Sequence, residues 1–558
     1  MKRVVLFLIA FLFMFLPRIP GISSFSTVDE PDYIKYGGNF YYSIGQRDFD
    51  KTLQTYQPAV TTLYASAIAY HLVAPEYRGF GQGYFEDTIP QTDYLERKGI
   101  EPVKLLYVAR LIMILMVSIM LTTSFALLDK LLGIIPSIII ILLISFEPYF
   151  LGHSRLLTQE GLMAISVITS ILGIIVYCTE EDKWIFLFIS AIAGAIAVIT
   201  KLTAIVLLPI IVFLLLFISR NTPNRKKQTT RKLSGVIIWS FIFLTFILAV
   251  WPAMWNHPID KISSLFETSF GFLGSKRGVP IESLSLQGIV EEISIINYLK
   301  SIWWQVPPLT WFGFLLAIFF LVLNFKKNSR IENIFFFSFL ALALLMIAMM
   351  SLGKKTAAHY IMVSHVSISF LAGLGISNGI KFIRNTFKDI PNYLLSSLIV
   401  FLIIGSQLII AYSYFPYYFD YLNPLALTFR GDSPIIDTGY GQGLDQAAKY
   451  LSQKPNSDDL TVLSWWSPSL DYFFPGKTEK IWITRNWRQK NIDILMSSDY
   501  LVIYYKTQMT RKMPEGLIDI LEFVKPEKNI SIHGVDMVRI YKVSDLPIEV
   551  FIPSIVDP

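Results

Sequence analysis

The sequence predicts a polytopic α-helical membrane protein with a small α/β domain at its C-terminal end. Hydrophobic residues make up 53% of the 558 residues, and charged residues make up only 16%. Several apolar runs reach the length that the hydrocarbon core of a bilayer requires. Residues 416–558 instead mix polar and apolar residues, as a folded domain outside the membrane does.

Eleven apolar segments are expected to be transmembrane helices, because each can cross or nearly cross about 30 Å of hydrocarbon at about 1.5 Å per residue. They are residues 4–22, 105–128, 132–151, 160–178, 184–200, 203–219, 234–252, 309–325, 332–351, 358–379 and 392–414. The first is expected to be a retained helix, since the sequence "PRIP" at its end offers no small-residue cleavage site. A cleaved signal peptide is the alternative, because the uninterrupted apolar core from Val4 to Leu16 is short.

The distribution of Lys and Arg predicts which side of the membrane each loop faces. With a cytoplasmic N-terminus, the inner segments carry sixteen Lys and Arg residues and the short outer loops carry four. This bias is expected for a chain whose N-terminus is inside and whose C-terminus is outside. It also explains the net charge of +6, which therefore does not indicate nucleic-acid binding. The single cysteine, Cys178, excludes an intrachain disulfide framework and a thiolate metal site.

This topology divides the chain into a membrane domain, residues 1–415, and an extracytoplasmic domain, residues 416–558. Long outer loops interrupt the membrane domain at 23–104 and 253–308. In the C-terminal domain, "GLDQAAKYLSQ" predicts a helix, "LTVLSWW" and "YLVIYY" predict buried strands, and "PEGLIDILEFV" predicts a second helix. The sequence "GYGQG" at 439–443 lacks the lysine of a P-loop and is expected to be a turn that enters a helix.

An acidic cluster follows the first apolar segment in the sequence "STVDEPDYIKYGG". Asp29 and Glu30 lie about seven residues beyond the expected helix, close to the outer membrane surface. A carboxylate at this place can accept a proton from a hydroxyl group if it is held at hydrogen-bond distance. A solvated turn beside Pro31 is the alternative interpretation of these residues.

The stretch after the acidic pair combines an aromatic-rich amphipathic segment, a "YQP" turn and a second apolar segment, which predicts helices along the membrane interface. This loop resembles the first outer loop of the GT-C glycosyltransferases, most closely that of the protein O-mannosyltransferases and the lipid A aminoarabinose transferases. In those families an Asp-Glu pair follows the first helix, as Asp29 and Glu30 do here. Tyr33 stands where the families often have an aromatic residue. Gln57 and Pro58 stand where His-Pro-Pro or Lys-Pro-Pro is usual.

Further motifs occur in the order found in the same families. "HSRLLTQEGL" is similar to their Ser-Arg-x-x-x-x-Asp/Glu element and supplies Arg155 and Glu160. "GAIAVITKLTAIVLLP" is similar to their Gly-rich helix that ends in Thr-Lys, and it supplies Lys201. "HYIMVSH" takes the place of an Arg/His-Tyr element and supplies His359. The resemblance covers about 415 residues.

The resemblance implies an enzyme that moves a sugar, mannose or a similar one, from a polyprenyl-monophosphate donor to a hydroxyl on the outer face of the cell membrane. It implies inversion, with Asp29 as general base and Glu30 as its orienting neighbour. Arg155 and Lys201 are expected to bind the donor phosphate, with contributions from Lys354, Lys355 and His359, because charge-assisted hydrogen bonds to phosphate are strong. Glu160, Tyr33 and Gln57 are further candidate site residues. The acceptor can be protein, lipid or glycan.

Alternatives from other functional classes stay open at this point. A transporter or flippase of lipid-linked saccharide shares the many spans, but it predicts ionisable residues near the middle of several helices, where this chain has few. A scaffold that acts through residues 415–558 is a third reading. No cofactor is expected, although Asp29 and Glu160 offer the hard oxygen ligands that a divalent cation prefers.

Overall fold

The computed structural model describes residues 2–79, 83–179, 183–218, 225–274, 294–324, 329–353, 357–387, 392–428, 439–480, 489–504, 521 and 523–547. The α-helices of this part are α1 Lys2–Phe15, α2 Glu30–Gly45, α3 Val60–Val73, α4 Thr88–Arg97, α5 Pro102–Leu132, α6 Ile134–Ser145, α7 Pro148–His153, α8 Glu160–Thr179, α9 Trp184–Thr200, α10 Leu207–Phe213, α11 Arg225–Val250, α12 Pro258–Gly274, α13 Ser294–Gln305, α14 Pro308–Asn324, α15 Arg330–Ser351, α16 Met362–Thr386, α17 Asn392–Ser413, α18 Pro424–Thr428, α19 Leu444–Leu451, α20 Ser467–Asp471 and α21 Gln489–Met496. Short 3₁₀ segments join several of them.

The chain is a multi-pass membrane protein. Among the described residues, six helices are long and apolar enough to span a bilayer, namely Pro102–Leu132, Glu160–Thr179, Lys232–Val250, Arg330–Ser351, Ala358–Thr386 and Leu394–Ser413. A helix pair bent by 111°, Ile295–Gln305 and Pro308–Leu323, is a further candidate. Shorter apolar helices cover Val4–Arg18, Val60–Val73, Ile134–Ser145, Trp184–Thr200 and Leu202–Ile218. The count of eleven spans and the N-in topology stay predictions.

Two of the expected spans are not single α-helices. The segment 132–151 divides into α6 and α7 because Pro148, which has no backbone N–H, starts a new helix. Glu147 caps this new helix by accepting a hydrogen bond from the Phe150 backbone N–H at 2.5 Å. The segment 203–219 divides into a 3₁₀ turn Leu202–Val206, α10 and a π-helical turn Leu214–Ile218. The expectation of one helix over 132–151 is therefore wrong, whereas the second segment is one apolar helix, Leu202–Ile218, whose turns differ in type.

Small residues allow close packing between the membrane helices. A Cβ atom at Gly375 of α16 would lie 2.0 Å from the Gly313 carbonyl oxygen of α14. A Cβ atom at Gly373 would lie 2.5 Å from a side-chain carbon of Ile140 in α6. Only glycine fits these two positions, and such contacts are the usual packing device where lipid removes the hydrophobic driving force between helices.

Within the described residues of the C-terminal region, the strands form a five-stranded mixed sheet in the order β2-β1-β3-β5-β4. The strands are β1 Thr461–Ser464, β2 Lys477–Lys480, β3 Tyr500–Tyr504, β4 Lys528–Ile532 and β5 Val535–Lys542. β1 pairs in parallel with β2 and β3, and β5 pairs antiparallel with β3 and β4. The strands expected in "LTVLSWW" and "YLVIYY" are confirmed as β1 and β3, and the helix expected in "GLDQAAKYLSQ" as α19. "PEGLIDILEFV" lies almost entirely outside the described residues.

The chain forms two compact units, and the expected domain boundary at residue 415 stays a prediction. We call them the helical unit, residues 1–20, 39–68 and 109–431, and the sheet unit, residues 21–38, 69–108 and 432–558. Part of the expected first outer loop thus belongs with the sheet. Hydrogen bonds explain this grouping, since the backbone N–H of Val28 donates to the Tyr440 carbonyl at 3.2 Å and Ser469 Oγ donates to the Thr27 carbonyl at 2.9 Å.

Candidate active site

Asp29 occupies the N-cap position of α2 in the sheet unit. Its carbonyl accepts the Tyr33 backbone N–H at 3.2 Å, which is the first hydrogen bond of the helix. Its carboxylate is exposed, and Oδ2 accepts a hydrogen bond from the Tyr440 hydroxyl at 3.0 Å. Pro31 follows in the first turn, where its missing N–H costs nothing. The helix start therefore presents an oriented carboxylate to solvent.

Glu30 is fully buried and has a different position from its neighbour. Its Oε2 accepts hydrogen bonds from the Thr27 backbone N–H at 2.8 Å and from the Thr27 hydroxyl at 2.9 Å. This arrangement is close to a capping box, in which an acidic side chain in the first turn reaches back to the residues before the helix. Glu30 thereby fixes the turn that carries Asp29.

Aromatic residues of α2 lie next to the acidic cluster. Tyr33 is half-buried and contacts Tyr36 edge-on, with ring centroids 6.1 Å apart. Burial raises the pKa of Tyr36 to about 12, and the carboxylates of Asp32 and Asp29 add to this effect. Tyr36 is therefore a neutral hydrogen-bonding group throughout the physiological pH range.

Glu160 and Lys201 form a buried ion pair in the helical unit. The distance from Lys201 Nζ to Glu160 Oε1 is 2.6 Å, and the two side chains are 3% and 7% exposed. The Nζ atom of Lys201 also lies 4.9 Å from the ring centroid of Tyr360, within the range of a cation–π contact. The sequence predicted both charged residues but not their pairing.

The packing of α8 against α9 brings the two charges together. A short connection joins these helices, so the start of α8 at Glu160 lies near the end of α9 at Thr200. Ser170 and Ser190 bond across the pair, since each hydroxyl donates to the other residue's carbonyl at 2.8 Å. Lys201 itself has an extended backbone, φ −151° and ψ 129°, which ends the helix. The helix expected to end in Thr-Lys is thus confirmed.

Two histidines lie near the Glu160–Lys201 ion pair. The ring of His153 lies 6.0 Å from that of His359, and His359 lies 4.4 Å from the Tyr360 ring. Burial lowers the pKa of His153 to about 4, an effect that the nearby Glu160 charge opposes and the Lys201 charge reinforces. His153 is therefore neutral at physiological pH and offers a hydrogen-bonding ring rather than a charge.

Arg155 and Arg18 form a second basic group in the helical unit. Arg155 is 1% exposed, donates to the Pro20 carbonyl and has its guanidinium carbon 5.0 Å from the Tyr418 ring centroid. Arg18 is fully buried, and its Nε donates to Ser154 Oγ at 2.8 Å. Arg18 also donates to Ser145 and to the Met14 carbonyl, which are uncharged acceptors.

The remaining predicted residues are distributed as follows. Gln57 lies in the helical unit, half-buried, and its backbone N–H donates to Thr55 Oγ1 at 3.0 Å. Lys354 and Lys355 lie outside the described residues. Within the described ranges, no three His, Cys, Asp or Glu side chains are close enough together to hold a metal ion.

Three residues at these places were not predicted from the sequence. Arg18 lies in the sequence "PRIP", which indicated only that a small-residue cleavage site is missing, although a charge at the end of an apolar run is itself a signal. His153 begins the motif that supplied Arg155. Tyr440 lies in the glycine-rich sequence that was expected to be only a turn, and nothing in the sequence links it to Asp29.

Solved structures similar to this chain are GT-C glycosyltransferases. The oligosaccharyltransferase of Archaeoglobus fulgidus, in complex with Zn and sulfate, has 14% identity and a TM-score of 0.49, covering 97% of this chain and 73% of its own. ArnT of Cupriavidus metallidurans in the apo state has 13% identity and a TM-score of 0.46, covering 98% and 99%. The mycobacterial arabinofuranosyltransferase AftD has 13% identity and a TM-score of 0.38, covering 97% and 40%.

No protein-family model matches the sequence, and no curated protein does.

Proposed function

We propose that this protein is a membrane glycosyltransferase that transfers a sugar from a polyprenyl-monophosphate donor to a hydroxyl acceptor on the outer face of the membrane. One observation carries the proposal: the exposed Asp29 carboxylate is oriented at a helix start by the Tyr440 hydroxyl at 3.0 Å. A carboxylate that is both accessible and held in place is suited to act as a general base. The motif resemblance described above supplies the substrate class.

The reaction is a single displacement with inversion at the anomeric carbon. The acceptor hydroxyl loses its proton to Asp29, and its oxygen forms a bond to the anomeric carbon as the bond to the phosphate oxygen breaks. Polyprenyl monophosphate leaves with the electron pair. Arg155 and Lys201 neutralise the charge that develops on the leaving phosphate, and His359, Lys354 and Lys355 contribute to its binding. Mannose is the first candidate sugar.

Glu30 and Glu160 act on the reacting groups through other residues. Glu30 holds the turn before Asp29 through its two hydrogen bonds to Thr27. Glu160 holds the Lys201 ammonium group at 2.6 Å. Because Glu160 is already committed to Lys201, it is poorly suited to bind a cation, and we propose a metal-independent reaction. Transfer activity that is unchanged by a chelator is the expected result.

The charge pattern of the spans favours an enzyme over a flippase. Ionisable residues that mark a transport pathway lie near the middle of several helices. The spans Glu160–Thr179, Lys232–Val250 and Leu394–Ser413 contain no Asp, Glu, Lys or Arg beyond their first residue. A protein that moved labelled lipid-linked sugar between leaflets without consuming it would favour the flippase.

The test compares Asp29→Asn with Asp48→Asn in proteoliposomes supplied with radiolabelled polyprenyl-phosphate mannose and a membrane extract as acceptor. Loss of a general base costs about 10²- to 10⁴-fold in rate. Asp48 is a matched control, since its exposed carboxylate pairs only with Lys51 of the next turn, at 3.0 Å, among the ion pairs described. Transfer by folded Asp29→Asn at a rate near wild type would contradict the proposal.

A further inference from the structure

The glycine-rich loop at 439–443 packs directly against the segment that carries Asp29. Gly441 has φ +104°, and a Cβ atom there would lie 3.2 Å from the Ser26 carbonyl oxygen and 3.3 Å from Val28. Gly443, with φ +87°, is the N-cap residue of α19. The first glycine thus permits a close approach that a side chain would obstruct, and the second permits the turn into the helix.

Tyr440 bonds this segment at two points. Its carbonyl accepts the Val28 backbone N–H at 3.2 Å, and its hydroxyl donates to Asp29 Oδ2 at 3.0 Å. One residue therefore fixes both the backbone just before Asp29 and the orientation of the carboxylate. The expected turn is present, but it has this second contact as well.

The loop is anchored to the central strand of the sheet. Gln442 Oε1 accepts hydrogen bonds from the Tyr440 backbone N–H and from the Tyr504 hydroxyl, each at 2.6 Å. The Tyr504 hydroxyl in turn accepts the Gly441 backbone N–H at 3.0 Å. Gln442 is 0% exposed and Tyr504 of β3 is 1% exposed, so water does not compete with these bonds.

We propose that Tyr440 is a positioning residue for Asp29 and that the sheet of the C-terminal region serves the reaction through this loop. The inference rests on the proposed role of Asp29 as general base. The Tyr440 hydroxyl restricts rotation of the carboxylate and favours its ionised, proton-accepting form, because a hydrogen bond to the charged form stabilises that form. Orientation of a reacting group is a large part of what an enzyme contributes.

The test is the pH–rate profile of full-length Tyr440→Phe in proteoliposomes with polyprenyl-phosphate mannose. Loss of a hydrogen bond to a charged group should lower kcat roughly tenfold and move the acid limb to higher pH, with little change in donor KM. Tyr450→Phe is the matched control, because it removes a hydroxyl that donates to Glu527 at 2.7 Å in the same unit. It should leave kcat and the acid limb unchanged.

A second variant keeps the shape of the side chain and should shift the acid limb of the pH–rate profile in the opposite direction. Replacement of Tyr440 by 3-fluorotyrosine makes the hydroxyl a stronger donor, and the acid limb should then move to lower pH. An unchanged acid limb in both Tyr440 variants, with Asp29→Asn inactive, would overturn the positioning role alone. Full activity of Asp29→Asn would instead overturn the proposed function, so the two failures are distinguishable.

Discussion

The Glu160–Lys201 ion pair predicts a strong energetic coupling between α8 and α9. At 2.6 Å and an effective dielectric constant of about 20, the attraction is about 6 kcal/mol before the cost of desolvation. Removing either partner leaves one charge buried without compensation, which costs about 3–5 kcal/mol. The double substitution Glu160→Gln with Lys201→Met leaves no buried charge, so it should cost much less than the sum of the single substitutions.

The assay is a double-mutant cycle on the purified protein, with unfolding of all four variants followed in one detergent. The coupling should exceed about 2 kcal/mol, whereas an exposed pair contributes about 0–1 kcal/mol. Asp48→Asn with Lys51→Met is the matched cycle, since that pair is 39% and 61% exposed. A cost under about 1 kcal/mol for each single substitution at Glu160 or Lys201, or additive effects of the two, would contradict this coupling.

Three further predictions concern stability and pH. Burial raises the pKa of Asp471 to about 7, and two carboxylates of α4 add to this effect. The folded state therefore holds the Asp471 proton more tightly than the unfolded state does. Unfolding free energy should therefore fall as pH rises from about 4 to about 7, by at most about 1.4 kcal/mol per unit, and unfolding of Asp471→Asn should lose this dependence. Gly161→Ala should cost about 1–3 kcal/mol in unfolding free energy, because its Cβ would lie 2.6 Å from Ser154 Cα. His153→Gln should leave the shape of the pH–rate profile unchanged between pH 5 and 8, because the pKa of His153 is lowered to about 4.

The sequence predicted where helices begin and end better than it predicted breaks within a long apolar run. Thr200 ends α9, as the similarity to a Gly-rich helix ending in Thr-Lys predicted, and the acidic Glu160 starts α8. The break at Glu147 was missed because the apolar run continues across it, although Pro148 offered the signal. In the sheet, two largely continuous apolar runs predicted β1 and β3, because a strand that is buried on both faces is apolar along most of its length.

The contacts of the candidate site could not be predicted from the sequence, for a different reason. Glu160 and Lys201 are 41 positions apart, and their pairing depends on the register of one helix hairpin. Asp29 and Tyr440 are 411 positions apart, and their hydrogen bond depends on a glycine loop of the C-terminal sheet. The types and order of the residues indicate what chemistry is available, whereas tertiary packing decides which side chains contact each other.

The two proposed phosphate-binding residues, Arg155 and Lys201, differ in how far neighbouring groups offset their charge. The charge of Lys201 is offset by Glu160 at 2.6 Å, so this pair presents directed N–H donors with little net charge. Arg18 donates to hydroxyl and carbonyl oxygens, which orient its guanidinium without offsetting its charge, and it lies beside Ser154, the residue before Arg155. A buried cation with neutral acceptors is costly unless an anion approaches it. We therefore propose that Arg155, with Arg18 behind it, supplies most of the net attraction for the donor phosphate, and that Lys201 supplies its orientation.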